Sequence, residues 1–215
     1  MFHDFIIDES TVRDSLVLNL SLNKVDITDS LFIKNITLLN VVKNDSLSFN
    51  VKLSDQNAVN SLDLYGLVNF GRDTTAKMEL LPSEIVLERQ DWKLQRKARV
   101  ILLKGKTQVS GFELSNGQQN VKINGFISDN VADELKVTFE KFSMATLNQL
   151  TKAGGVRLKG TLNGDVKITS ITNTPGISAL LGIDSLTMNK TLVGNVKIES
   201  DLGNDRKQAN VKMMN

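Results

Sequence analysis

The sequence contains no cysteine, which removes a disulfide framework, a thiolate metal site and a cysteine nucleophile together. An oxidising compartment is neither required nor excluded. His3 is the only histidine and lies at the chain end, so a Ser-His-Asp triad or a histidine metal centre has one frayed residue to draw on. Prolines are limited to Pro82 and Pro175, and aromatics make up 5% of the chain. With one Trp and one Tyr, the chain lacks the aromatic girdles of an outer-membrane barrel. No run approaches the roughly 20 apolar residues of a membrane-spanning helix. Met1-Phe2-His3-Asp4 lacks the basic end and apolar core of a signal peptide, so the expectation is a cytosolic protein or a fragment whose targeting segment lies elsewhere. Basic and acidic residues nearly cancel, 26 against 24, and form no basic block, so neither nucleic acid nor anionic lipid headgroups are expected as the main partner.

What the chain does have is period-two alternation of apolar and polar residues. Leu16, Leu18, Leu20 and Leu22 predict a first strand. Residues 31–42 read as a strand with a bulge or turn near Asn35, because Leu38-Leu39 and Val41-Val42 break the alternation. Leu47 to Leu53 restores it, and Asp55-Gln56-Asn57 reads as a turn. Leu62 to Phe70, turning at Gly71-Arg72-Asp73 into Ala76, Met78 and Leu80, predicts a hairpin. Pro82-Ser83 interrupts, Ile85 with Leu87 and Trp92 with Leu94 resume, and Val100 to Leu103 reads as covered on both faces.

Asn116-Gly117 between two alternating runs predicts a second hairpin, with positive φ at both turn positions. Leu135, Val137 and Phe139 form a strand, residues 143–152 switch to helical spacing with Ser143 as N-cap and Gly154 as stop, and Val156 to Ile168 is extended again. Met144, Leu147 and Leu150 share one face of that short helix, which is expected to plug one edge of the sheet. Beyond Pro175, residues 177–181 read as a short strand or helical turn, then Leu192, Gly194, Val196 and Ile198 alternate, and Leu202-Gly203-Asn204-Asp205 turns into Ala209, Val211 and Met213.

Two recurrences organise these strands. A lysine sits between two apolar residues at 51–53, 121–123, 135–137, 166–168, 196–198 and 211–213, so one face is wet throughout. Glycine interrupts the apolar rows at Gly66, Gly125, Gly160 and Gly194, where a missing side chain permits bending or close backbone approach. The same alternation also describes a β-sandwich. With only one short helix to cover the dry side, the fold expected is all-β: one elongated domain over 1–215, a long antiparallel sheet curled over an apolar trough.

Familiar chemical motifs fail on inspection. Gly105-Lys106-Thr107 resembles the end of a phosphate-binding loop, but its first glycine would fall on Val100. Gly160-x-Leu162-x-Gly164 lacks dinucleotide spacing, and Asp133-Glu134 reads as a solvated turn. Three sequons, at Asn35, Asn44 and Asn189, are expected by chance in an Asn- and Thr-rich chain. No catalytic constellation and no cofactor site is expected.

Phe139-Glu140-Lys141-Phe142-Ser143-Met144-Ala145-Thr146-Leu147, then Val156 to Gly164, Pro175, Met188-Asn189 and Leu192-Val193-Gly194-Asn195-Val196 together resemble the C-terminal region of the TamB family, the translocation and assembly module proteins of the AsmA-like group in diderm bacteria. The resemblance is clearest over 119–215. It implies a β-taco with an apolar concave groove, a periplasmic location in a fragment of an inner-membrane-anchored parent, and partners in phospholipid acyl chains and an outer-membrane β-barrel assembly protein. One-sided alternation without covering helices then makes Val121, Ile123, Leu135, Val137, Phe139, Val156, Leu158, Leu162, Val166, Ile168, Leu192, Val196 and Ile198 the candidate groove lining. The expected function is non-enzymatic lipid conduction with outer-membrane assembly. Other readings are a chaperone-like module that pairs barrel strands through its sheet edges, an outer-membrane barrel and an enzyme.

Overall fold

A computed structural model describes residues 2–12, 14–28, 31–55, 59–71, 76–87, 89–151, 154–202 and 208–214. They are almost entirely antiparallel β-structure, in two compact units, 1–104 and 105–215.

The first unit holds β1 (Phe2–Val12), β2 (Ser15–Thr28), β3 (Leu31–Lys43), β4 (Ser46–Asp55), β5 (Ser61–Phe70), β6 (Ala76–Leu80), β7 (Ser83–Leu87), β8 (Gln90–Leu94) and β9 (Ala98–Leu103). β1 to β6 pair in chain order, and β9 adds to the far side of β6. Alternation predicts β2, β4 and the β5–β6 hairpin. The bulge expected near Asn35 is present: Asn35 takes φ +52 and the β3–β4 register shifts between Lys34 and Thr37. The turns expected at Gln56-Asn57 and at Arg72-Asp73 lie outside the described residues.

Pro82 marks a seam rather than a simple stop. One half of β5 pairs with β6 and the other half with β7. At the junction the buried Ser83 hydroxyl accepts the Tyr65 N–H at 3.0 Å and donates to the Leu81 carbonyl at 2.7 Å, satisfying a backbone donor that the change of partner would strand. Beside it Trp92, Leu94, Ala98 and Val68 form the buried apolar core of this unit.

Two expectations for this unit need correction. β1 went unread, because Phe5-Ile6-Ile7 followed by Asp8-Glu9-Ser10-Thr11 has no period of two. It is a terminal strand held by backbone pairing to β2, with Ile6 and Ile7 54% and 56% exposed. At the end of β9 both faces are open rather than covered, since Leu102 and Leu103 are 46% and 37% exposed.

The second unit runs β10 (Lys106–Asn116), β11 (Gln119–Ser128), β12 (Glu134–Ser143), β13 (Leu158–Thr169), β14 (Gly176–Met188), β15 (Thr191–Leu202) and β16 (Gln208–Met214), each strand antiparallel to the next. The β10–β11 turn sits one residue later than expected: Asn116 pairs with Gln119, and of the two loop residues between them only Gly117 takes positive φ. The turn with two positive φ angles is Asn189-Lys190, between β14 and β15. β14 is a strand more than twice as long as residues 177–181. The turn expected at Gly203-Asn204-Asp205 lies outside the described residues.

The helix expected over residues 143–152 is present in two pieces: Met144–Leu147 form a 3-10 turn and Asn148–Thr151 a single α turn, and Lys152 lies outside the described residues. Ser143 stands at the N-cap with extended backbone, but its hydroxyl makes no capping bond. The segment is instead fastened to the start of β13. Asn148 accepts the Leu158 N–H at 2.7 Å and donates to the Leu158 carbonyl at 3.2 Å.

Candidate functional site

The register of the second unit stacks the apolar residues of successive strands directly opposite one another. One row runs Phe112, Ile123, Val137, Val166 and Ala179. The next runs Leu114, Val121, Phe139, Gly164, Leu181 and Ile198. A third, Phe142, Leu162, Ile183 and Val196, is buried throughout, with Met144 of the helical segment also buried and that segment packed against β12 and β13. Leu135 and Ile168 pair at the other end. Apart from this third row, the aligned side chains are half-buried.

Leu158 pairs with Met188 beyond these rows, and ten of the thirteen residues singled out from the sequence stand in them or in the Leu135–Ile168 pair. Val156 does not: it precedes β13, and its N–H bonds to the Thr151 carbonyl at 3.2 Å. Leu192 does not either. A register irregularity between Leu186 and Thr187 sets it opposite Thr187 rather than on the face of Val196, and it is 69% exposed. Ala179, Leu181 and Ile183 belong to the rows and were missed; their period of two is visible in the sequence but stops at the bulge that follows.

The opposite face is a lattice of ion pairs. Lys122 bonds Glu140 at 2.6 Å and lies 3.8 Å from Glu113, Lys197 bonds Glu199 at 2.6 Å, and Lys136 and Lys167 stand directly opposite each other. That repulsion is relieved diagonally, Lys136 to Asp165 at 3.0 Å and Lys167 to Glu134 at 3.0 Å. Glu140 holds the Lys122 ammonium above its ordinary pKa. Asp133 is not the solvated partner of Glu134 that adjacency suggests. It faces inward, accepting from the Ser128 hydroxyl at 2.9 Å and from Lys106 at 3.3 Å.

The Thr138 hydroxyl, 2.6 Å away, lowers the Asp165 carboxyl below the usual carboxylate range, with Lys136 and Lys167 adding to it against partial burial. A carboxyl lowered on folding contributes stability that is complete above its unfolded pKa and is lost as pH falls through the folded value. Wild type should therefore exceed Asp165→Asn in unfolding free energy by urea titration at about pH 7, by less than about 1 kcal/mol after solvent screening, and the gap should close in acid as the folded carboxyl becomes protonated. A gap that persists in acid contradicts the assignment.

No family model, no curated protein and no solved structure matches this chain. Among the described residues no three His, Cys, Asp or Glu side chains group as a metal site would require, and no helix is long and apolar enough to cross a membrane.

The asparagines beside the strand glycines are the feature that reading by alternation missed. On β10 the bulged Gly111, at φ +69, donates its N–H to the Asn124 side chain of β11 at 2.7 Å. On β12 the bulged Lys141, at φ +49, donates to Asn163 of β13 at 2.7 Å, and on β14 Ser185, at φ +52, donates to Asn195 of β15 at 2.9 Å. Each bulge puts an unpaired donor into the ladder, and an asparagine on the following strand takes it up. The sequence signal is Asn124-Gly125, Asn163-Gly164 and Gly194-Asn195.

Proposed function

We propose that this chain is a non-enzymatic lipid-conduit and outer-membrane assembly module of the TamB kind, periplasmic and part of an inner-membrane-anchored parent. Its curled sheet would shield phospholipid acyl chains in an apolar groove. The observation that carries the reading is the register: half-buried apolar residues align from β10 to β15 while lysines and carboxylates pair on the other face. At about 4.8 Å per strand such a row extends on the order of 24 Å. That exceeds the reach of one acyl chain, since the hydrocarbon core of a whole bilayer is about 30 Å thick. Each methylene removed from water gains about 0.8 kcal/mol, so a row with no polar anchor can hold a chain and still let it slide.

The test is native mass spectrometry of the purified chain. The wild type should carry phospholipid, and Val166→Arg, which puts a charge into the middle of the row, should reduce the bound fraction by about tenfold or more with its β circular dichroism intact. A lipid-free wild type, or equal loading of the variant, removes the support for a conduit.

The long terminal strand β1 favours a second reading, a chaperone-like module that docks barrel strands. Among the described residues it pairs only with β2, and Ile6, Ile7 and Val12 are each more than half exposed, at 54%, 56% and 57%. Crosslinks from β1 to an unfolded barrel client, formed by lipid-free protein, would favour it.

A further inference from the structure

Beside the start of β13 lies a pocket of about 710 Å³, a volume in the range of small-molecule sites. Arg157, Lys159 and Lys190 line it together with Asn148, Thr187 and Asn189, and no carboxylate does. Elsewhere in this unit Lys106, Lys122, Lys136, Lys167 and Lys197 each sit within 4 Å of an acidic partner, at 3.3, 2.6, 3.0, 3.0 and 2.6 Å. Among the described residues the three cations of the pocket make no ion pair.

Their backbones are held firmly. The Arg157 N–H donates to the Asn189 side chain at 2.8 Å, and the Asn189 N–H returns to the Arg157 carbonyl at 2.9 Å. Asn189 and Lys190 are both at positive φ, +48° and +75°, and so form a tight turn. Lys159 stands opposite Thr187 in the ladder, and the paired bonds from Asn148 to Leu158 fix the other wall. Three basic residues lining one space, with amide and hydroxyl side chains beside them, are the chemistry that takes up a tetrahedral oxyanion carrying more than one charge.

The geometry points to a phosphate-binding site at Arg157, Lys159 and Lys190, taking either a soluble phosphate or the phosphate of a lipid headgroup. It does not depend on acyl chains lying along the apolar rows.

Two titrations of the full chain test it: inorganic phosphate by calorimetry, and flotation with phosphatidylcholine vesicles with and without phosphatidylglycerol. Arg157 and Lys159 are exposed, so Arg157→Gln/Lys159→Gln should fold with unchanged circular dichroism and bind about tenfold or more weakly, the expected effect of losing charge-assisted bonds. Phosphatidylglycerol-dependent flotation lost in the double variant, with or without heat from free phosphate, identifies a headgroup site. Variant-sensitive binding of free phosphate alone identifies a soluble ligand. No binding in either arm, or binding that the double variant leaves intact, overturns the site. Val166→Arg should keep phosphate binding, so failure of the conduit and failure of this pocket are told apart.

Discussion

Gly164→Ala should destabilise the second unit by about 3 kcal/mol or more, lowering its thermal midpoint by roughly 10–20 °C. Gly164 lies in mid-strand at φ +127, a conformation that L side chains rarely adopt. An added methyl would clash with the Leu180 carbonyl oxygen and lie 2.9 Å from the Leu181 Cα. Both obstacles are backbone, so no rotamer change relieves them; the β13–β14 ladder itself has to open at its Gly164–Leu181 pair. Gly182→Ala on the neighbouring strand is the control, because a methyl there meets nothing within 4 Å. It should stay within about 0.5 kcal/mol of wild type. Equal shifts in the two variants, read by differential scanning calorimetry, would mean that the close approach at Gly164 is not what the glycine is for.

Trp92→Ala should cost the first unit about 3–5 kcal/mol. The indole is 1% exposed and packs where Leu94 at 1%, Ala98 at 0% and Ser83 at 4% also leave no room for water, so its removal leaves a cavity too hemmed in to collapse. Burial decides the size of this effect. Phe70, another large aromatic of the same unit, is 53% exposed, and Phe70→Ala should lose less than about 1 kcal/mol. Denaturant titration of the two variants compares them directly, and similar losses would falsify the placement of the core around Trp92.

Alternation revealed strands whose drier face keeps its period of two along their length. Leu47, Phe49, Val51 and Leu53 announce β4, and Leu135, Val137 and Phe139 announce the first part of β12. It failed where backbone pairing alone holds the strand, as in β1, and where a bulge resets the parity. Leu181 and Ile183 share a face with Leu186 and Met188, yet the three-residue step from Ile183 to Leu186 hides the continuation of β14. The same irregular stretch misplaced Leu192, whose spacing from Val196 suggests one face and whose register gives the other. The lysine at the centre of each apolar triplet was informative for a different reason, since it has no way to enter a dry face unpaired. The helical segment is split between a 3-10 and an α turn, and Asn148, read as one more residue of a helix, also spends its side chain on the Leu158 backbone. The basic pocket was invisible to any window of sequence, because Lys190 is brought to Arg157 and Lys159 only by the β13–β14 pairing.

The asparagine clamps join strands two at a time, β10 with β11, β12 with β13 and β14 with β15. A gene that lengthened or shortened this architecture by a single strand would divorce a bulge from the asparagine that answers it. The smallest increment by which it can grow is thus a duplicated pair, and evolution or a designer extending it would copy whole pairs, asparagine and glycine included.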